Sequence, residues 1–209
     1  MTENVLIALF DVESEAYQAT TELKSSSVSE DYIISQLALI TKKDGKITPV
    51  DGFDTGIQTS NDTAGGALVG GLVGILGGPL GMLLGASYGA LIGGTIDAGD
   101  AVQNASVLEQ VTHKLGDDCT AIIALVQEEN ESVLDAKLSR FQATIVREDA
   151  AIVAEEVEEA RQVERDLQRQ AREKLHAEKK ENREQKIQER RKKIQADFAA
   201  FKDKFKTHE

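Results

Sequence analysis

Val5-Leu6-Ile7-Ala8-Leu9-Phe10 is an unbroken apolar run, short enough for a strand and apolar enough to be covered on both faces. From Val12 to Lys24 the pattern changes: Val12, Ala16, Ala19 and Leu23 recur at 4-3-4 spacing, a helical period, until Ser25-Ser26-Ser27 ends it. Tyr32 to Thr41 is again β-branched and apolar. Lys42 to Lys46, with Asp44-Gly45 at its centre, carries hairpin turn chemistry, and Ile47 to Val50 can pair back as a strand that Pro49 keeps at an edge. Ala101 to Leu115 is periodic through Val102, Ala105, Leu108 and Val111, with Gly116 placed as a C-terminal cap. Cys119 to Val126 predicts a further buried strand, Glu131 to Phe141 a helix, and Ala143 to Arg147 a last strand.

With residues 63–96 set aside, the order is βαββαβ, so the pattern predicts an α+β fold with a ferredoxin-like domain and an appended αβ unit. That domain takes residues 1–62 and 97–150, with a Gly-rich helical hairpin inserted at 63–96 and a charged helical tail at 151–209. Beyond Gly116 there is neither Gly nor Pro, and from Ala151 onward Ala, Glu, Gln, Lys and Arg dominate, all good helix formers. One long C-terminal helix of about 56 residues would reach roughly 84 Å.

The inserted segment is unlike the rest. Thr63 to Ile96 is 34 residues without a charge, 12 of them Gly. Gly66, Gly70, Gly74 and Gly78 are four apart, and Gly81, Gly85, Gly89 and Gly93 continue the spacing beyond Gly77-Gly78-Pro79. Positions four apart stack on one helix face. Each Gly costs a helix interior up to ~1 kcal/mol relative to Ala, a cost that close contact between two helix backbones can offset. Pro79 breaks the run, and the two arms predict a hairpin packed along its glycines. At 16 and 17 residues the arms reach roughly 24 to 26 Å against a hydrocarbon core near 30 Å. Two settings follow. In one, the hairpin lodges in a bilayer and holds the protein at the cytoplasmic face of the cell membrane; in the other, the hairpins form the core of a soluble, cytoplasmic homo-oligomer or filament.

Charge divides the chain. Residues 1–150 hold 8 Lys/Arg against 22 Asp/Glu, and residues 151–209 hold 16 against 14, within an overall −12. In the tail, Ile187, Ile194, Phe198, Phe201 and Phe205 follow a 7-4-3-4 spacing beside Arg190, Arg191, Lys192 and Lys193. That face suits a second copy of the chain, its own acidic body, or an anionic lipid surface. The acidic body and the lack of any nucleic-acid module argue against DNA or RNA.

No constellation amounts to a catalytic site. Gly85-Ala86-Ser87-Tyr88-Gly89 fits a nucleophile-elbow pattern but has no strand before it. His113, His176 and His208 are scattered, Asp117-Asp118 beside Cys119 suits a turn into a strand, and Glu155, Glu156, Glu158 and Glu159 form a charged helix face. The single Cys excludes an intramolecular disulfide framework. No cofactor, metal or small-molecule substrate is expected.

VLIALFD at Val5 to Asp11, GGPLG at Gly77 to Gly81, CTAIIALVQE at Cys119 to Glu128, and ATIVRED with its following Ala/Glu helix from Ala143 resemble the family of domain of unknown function 1269, over roughly Val5 to Ala160. The resemblance implies a bacterial protein of the kind labelled predicted membrane protein, at times associated with general stress responses. It implies no activity, cofactor or catalytic residue.

Overall fold

The computed structural model describes residues 2–57, 67–82, 84 and 106–206, with the backbone alone at 67 and 196–206. In chain order its elements are β1 (Thr2–Phe10), α1 (Glu13–Ser25), β2 (Tyr32–Lys43), β3 (Lys46–Asp54), α2 (Ala67–Gly77), α3 (Val107–Lys114), β4 (Thr120–Glu128), α4 (Glu131–Ser139), β5 (Thr144–Asp149) and α5 (Ala150–Lys206). The chain divides into two compact units, 1–162 and 163–209.

The first unit is built on a five-stranded sheet of order β3-β2-β4-β1-β5, with every neighbouring pair antiparallel. Both faces are covered, which is why the central strands read as continuous apolar runs. On one face Val5 and Ile7 of β1 and Ile123 and Leu125 of β4 pack with α2, α3 and the start of α5. On the other, Leu6, Ala8 and Phe10 with Ile122, Ala124 and Val126 pack with α1 and α4. In β2 the register against β4 shifts between Ile34 and Gln36. That bulge changes parity, so Tyr32 and Ile34 share a face with Leu37 and Leu39.

The α+β class and the long C-terminal helix are as the pattern predicts, but the strand order departs from the ferredoxin-like plan, in which the third strand fills the gap between the first two. Here β4 fills that gap, pairing with both β1 and β2, and β3 takes the outer edge. Composition explains the exchange: β4 is apolar on both faces, whereas β3 carries Pro49 and exposed Asp51 and Gly52. Asp44 and Gly45, both with positive φ (53° and 71°), close the β2–β3 turn in the geometry that suits strand twist.

Two end signals also differ. Gly116 follows the Leu115 cap, but the left-handed residue of this turn is Asp118, at φ 64°. The helix expected from Ala101 is described from Val107, behind a capping box in which Glu109 N–H donates to Ser106 Oγ and Ser106 N–H to Glu109 Oε2, each at 3.2 Å. Residues 101–105 lie outside the described residues.

Candidate association surfaces

The first arm of the glycine segment is α2, eleven residues without a charge. Val69, Leu72, Val73 and Leu76, spaced i, i+3, i+4 and i+7, are buried against the sheet with Ile75. The arm expected as a separate insertion therefore supplies the core of its own protomer. The reason is its amphipathic spacing: the large aliphatics fall on one side and the glycines mainly on another. At ~1.5 Å per residue α2 is roughly 16 Å long. Among the described residues no helix is long and apolar enough to cross a membrane.

The glycines divide by surroundings. Gly71 lies under α5, where a Cβ would stand 3.0 Å from Val157 and against Arg161. Gly77 abuts β3, a Cβ there lying 2.9 Å from the Ile47 carbonyl oxygen. α2 ends at Gly77, Gly78 is a bend and the chain turns helical again at Pro79, so the break falls where Gly78-Pro79 predicts. Gly81 then packs on the Leu76 carbonyl so closely that a Cβ would collide with it. Gly70 and Gly74 are different: among the described residues nothing lies within 4 Å of the Cβ either would carry. With Val73 they form one wall of an open groove of about 550 Å³, and Ile47 and Pro49 lie on the opposite wall. Gly66, Gly85, Gly89 and Gly93, and with them the Ser87 motif, lie outside the described residues.

Of the tail residues singled out, Arg190, Arg191, Lys192 and Lys193 are exposed on α5, and Phe198, Phe201 and Phe205 fall within the same helix. Ile187 and Ile194 are 44% and 65% exposed, so this stripe meets water at least at its start.

Two charged arrangements escaped the sequence pattern. Glu128, at the end of β4 and with its side chain fully out of water, receives Arg147 of β5 through Nε at 2.9 Å and Nη2 at 3.2 Å. Arg147 also donates to Asp135 of α4 at 2.8 Å, so one guanidinium ties two strands to a helix. Burial disfavours its charge, but the hydrogen bonds and charges of Asp135 and Glu128 outweigh that and raise its pKa. Second, Glu156 is not merely part of an exposed acidic face. Both its carboxylate oxygens accept the Val107 N–H, at 2.9 and 3.2 Å, joining α5 to the positive end of the α3 dipole. Burial pushes its carboxyl above the ordinary value, hydrogen bonds from Val107 and Leu108 pull it back, and the charges of Glu148 and Glu109 push it up again.

Cys119 is a half-buried free thiol, and Asp117 accepts the Gly45 N–H at 3.1 Å, a contact that reaches across to the β2–β3 turn. Among the described residues no three His, Cys, Asp or Glu side chains are gathered so as to hold a metal ion.

Comparison with known families matches residues 63–163 to the model of a family described as protein of unknown function, DUF1269. This is the family that the sequence resembles, although the match begins at the glycine segment and leaves β1 to β3 outside it. Neither the curated proteins nor the solved structures give a match.

Proposed function

Since residues 63–163 carry the match to DUF1269, we propose that the chain is a non-enzymatic protein that associates with copies of itself through the glycine-bearing face of α2. The observation that carries this reading is that no described residue lies over Gly70 and Gly74, beside an apolar groove. A helix with glycines at two exposed interior positions is less stable than one with Ala there by about 1 kcal/mol each. Gly71, Gly77 and Gly81 have neighbours inside the protomer that account for their small size. Gly70 and Gly74 have none among the described residues, and a second helix laid along them would gain dispersion and Cα–H···O contacts that any Cβ would forbid. The glycine-zipped hairpin that the spacing of Gly66, Gly78, Gly85, Gly89 and Gly93 suggests is the fuller form of the same proposal, whereas Gly81 is already taken up by the Leu76 carbonyl. Burial of Leu72, Ile75 and Leu76 on the sheet favours an assembly in water over an arm lodged in a bilayer.

Size measurement of the full chain with and without detergent tests the proposal. An assembly that stays in a detergent-free high-speed supernatant and keeps its size when detergent is added is the expected result. A protein that is monomeric at high concentration, or that pellets with membranes until detergent releases it, contradicts it.

A further inference from the structure

The apolar positions of α5 form two stripes. At about 100° per residue, Leu167 and Ala171 lie together, and Ile187, Ile194, Phe198, Phe201 and Phe205 lie on roughly the opposite side within an arc of about 60°. Within the first unit, Val153, Val157 and Ala160 at the start of α5 are buried. The second stripe starts in water, with Ile187 and Ile194 exposed. Its narrowness tells against a lipid surface, since a helix lying in an interface presents an apolar face of about 100° or more, whereas a narrow 3-4 seam is that of a coiled coil.

Set in heptads, Ile187, Ile194 and Phe201 take d positions and Phe198 and Phe205 take a positions, with Arg191 the polar residue at a. The flanks then decide the orientation of a partner helix. Arg190, Asp197 and Lys204 stand at g; Gln188, Gln195 and Lys202 stand at e. In a parallel pair each g position faces the e position five residues on in the other helix, so Asp197 meets Lys202 of a second copy, twice by symmetry, and Arg190 meets Gln195. Reversing one helix about the centre of the stripe sets Asp197 against Asp197 and Arg190 against Lys204, both like-charged. We infer that residues 187–205 of α5 pair with the same segment of a second copy as a parallel two-stranded coiled coil. The inference rests on the self-association proposed above but uses a different surface, so each can fail alone.

Sedimentation equilibrium of the full chain tests it. Asp197→Lys and Lys202→Glu should each weaken the dimer about three-fold or more, by replacing two attractive contacts with repulsive ones. The double variant D197K/K202E should return to within about two-fold of the parent, because the pair is restored in reverse. Phe198→Ser/Phe201→Ser/Phe205→Ser should abolish the contribution of this segment altogether. Equal affinities for the parent and both single variants, or a double variant weaker than either single one, would overturn the parallel pairing. A parent protein that does not pair through this segment and instead binds vesicles of phosphatidylglycerol and phosphatidylcholine through the three Phe would overturn it in favour of a lipid surface. If Gly70→Leu/Gly74→Leu lowers the mass and the Phe variant does not, the α2 surface stands and the coiled coil falls; if only the Phe variant lowers it, the coiled coil stands and the α2 surface falls.

Discussion

Val107 N–H donates to Glu156 Oε2 at 2.9 Å, so a carboxylate near the start of the longest helix closes the N-terminus of a short helix that begins 49 residues earlier. Because folding raises the Glu156 pKa above its ordinary 4.5, the folded chain holds this proton more tightly than the unfolded chain. The group's contribution to stability is therefore greatest below pH 4.5 and falls as pH rises through the raised value. Glu156→Gln keeps a carbonyl oxygen for Val107 and removes the charge. Thermal melts of the two proteins should coincide at low pH and separate as pH rises, the Gln variant melting higher. A separation in the other direction would mean that the ionised cap is worth more than its burial costs.

Removing the Arg147 side chain leaves Glu128 buried with its charge unpaired. Arg147→Met should destabilise the first unit by about 3 kcal/mol in urea titration. Glu128→Gln/Arg147→Met should cost clearly less than the sum of the two single changes, since the double variant buries no charge. Additive costs would contradict a specific pair.

One substitution at two glycines of the same segment should act in opposite directions. Gly74→Ala places its methyl where no described residue lies within 4 Å and trades a poor helix former for the best, so the dilute, unassociated protein should gain up to about 1 kcal/mol. Gly81→Ala drives its methyl into the Leu76 carbonyl and should cost about 1–3 kcal/mol. Denaturant midpoints measured side by side would check both; equal effects would mean that the two glycines stand in the same surroundings.

Much of the fold is legible in the residues. The runs at Val5 to Phe10 and Cys119 to Val126 mark central strands because both sheet faces are covered, and Gly78-Pro79 marks the end of α2 because Pro cannot continue the helix. Strand order is not legible, since β4 and β3 both pair with β2 and nothing local states which of them also meets β1; only the polarity of β3 and Pro49 hint at an edge. Ser106 and Glu109, a capping pair visible in the sequence, mark the start of α3 more sharply than its apolar period does. The glycine spacing announces a packing face but not its division. Which glycines serve the protomer and which stand open depends on where α5 and β3 lie, and those contacts are distant in sequence. Glu128 and Glu156 are hidden for the same reason: a carboxylate in a charged stretch looks solvated until its partner is known.

The measurement closest to self-association through α2 is the sedimentation velocity of the full chain beside Gly70→Leu/Gly74→Leu in detergent-free buffer. No described residue lies within 4 Å of the Cβ at either position, so circular dichroism and melting should show an intact fold. The parent should sediment as an assembly that this pair of substitutions breaks down or shrinks. An assembly of unchanged size and affinity in the variant would contradict the role given to these two glycines.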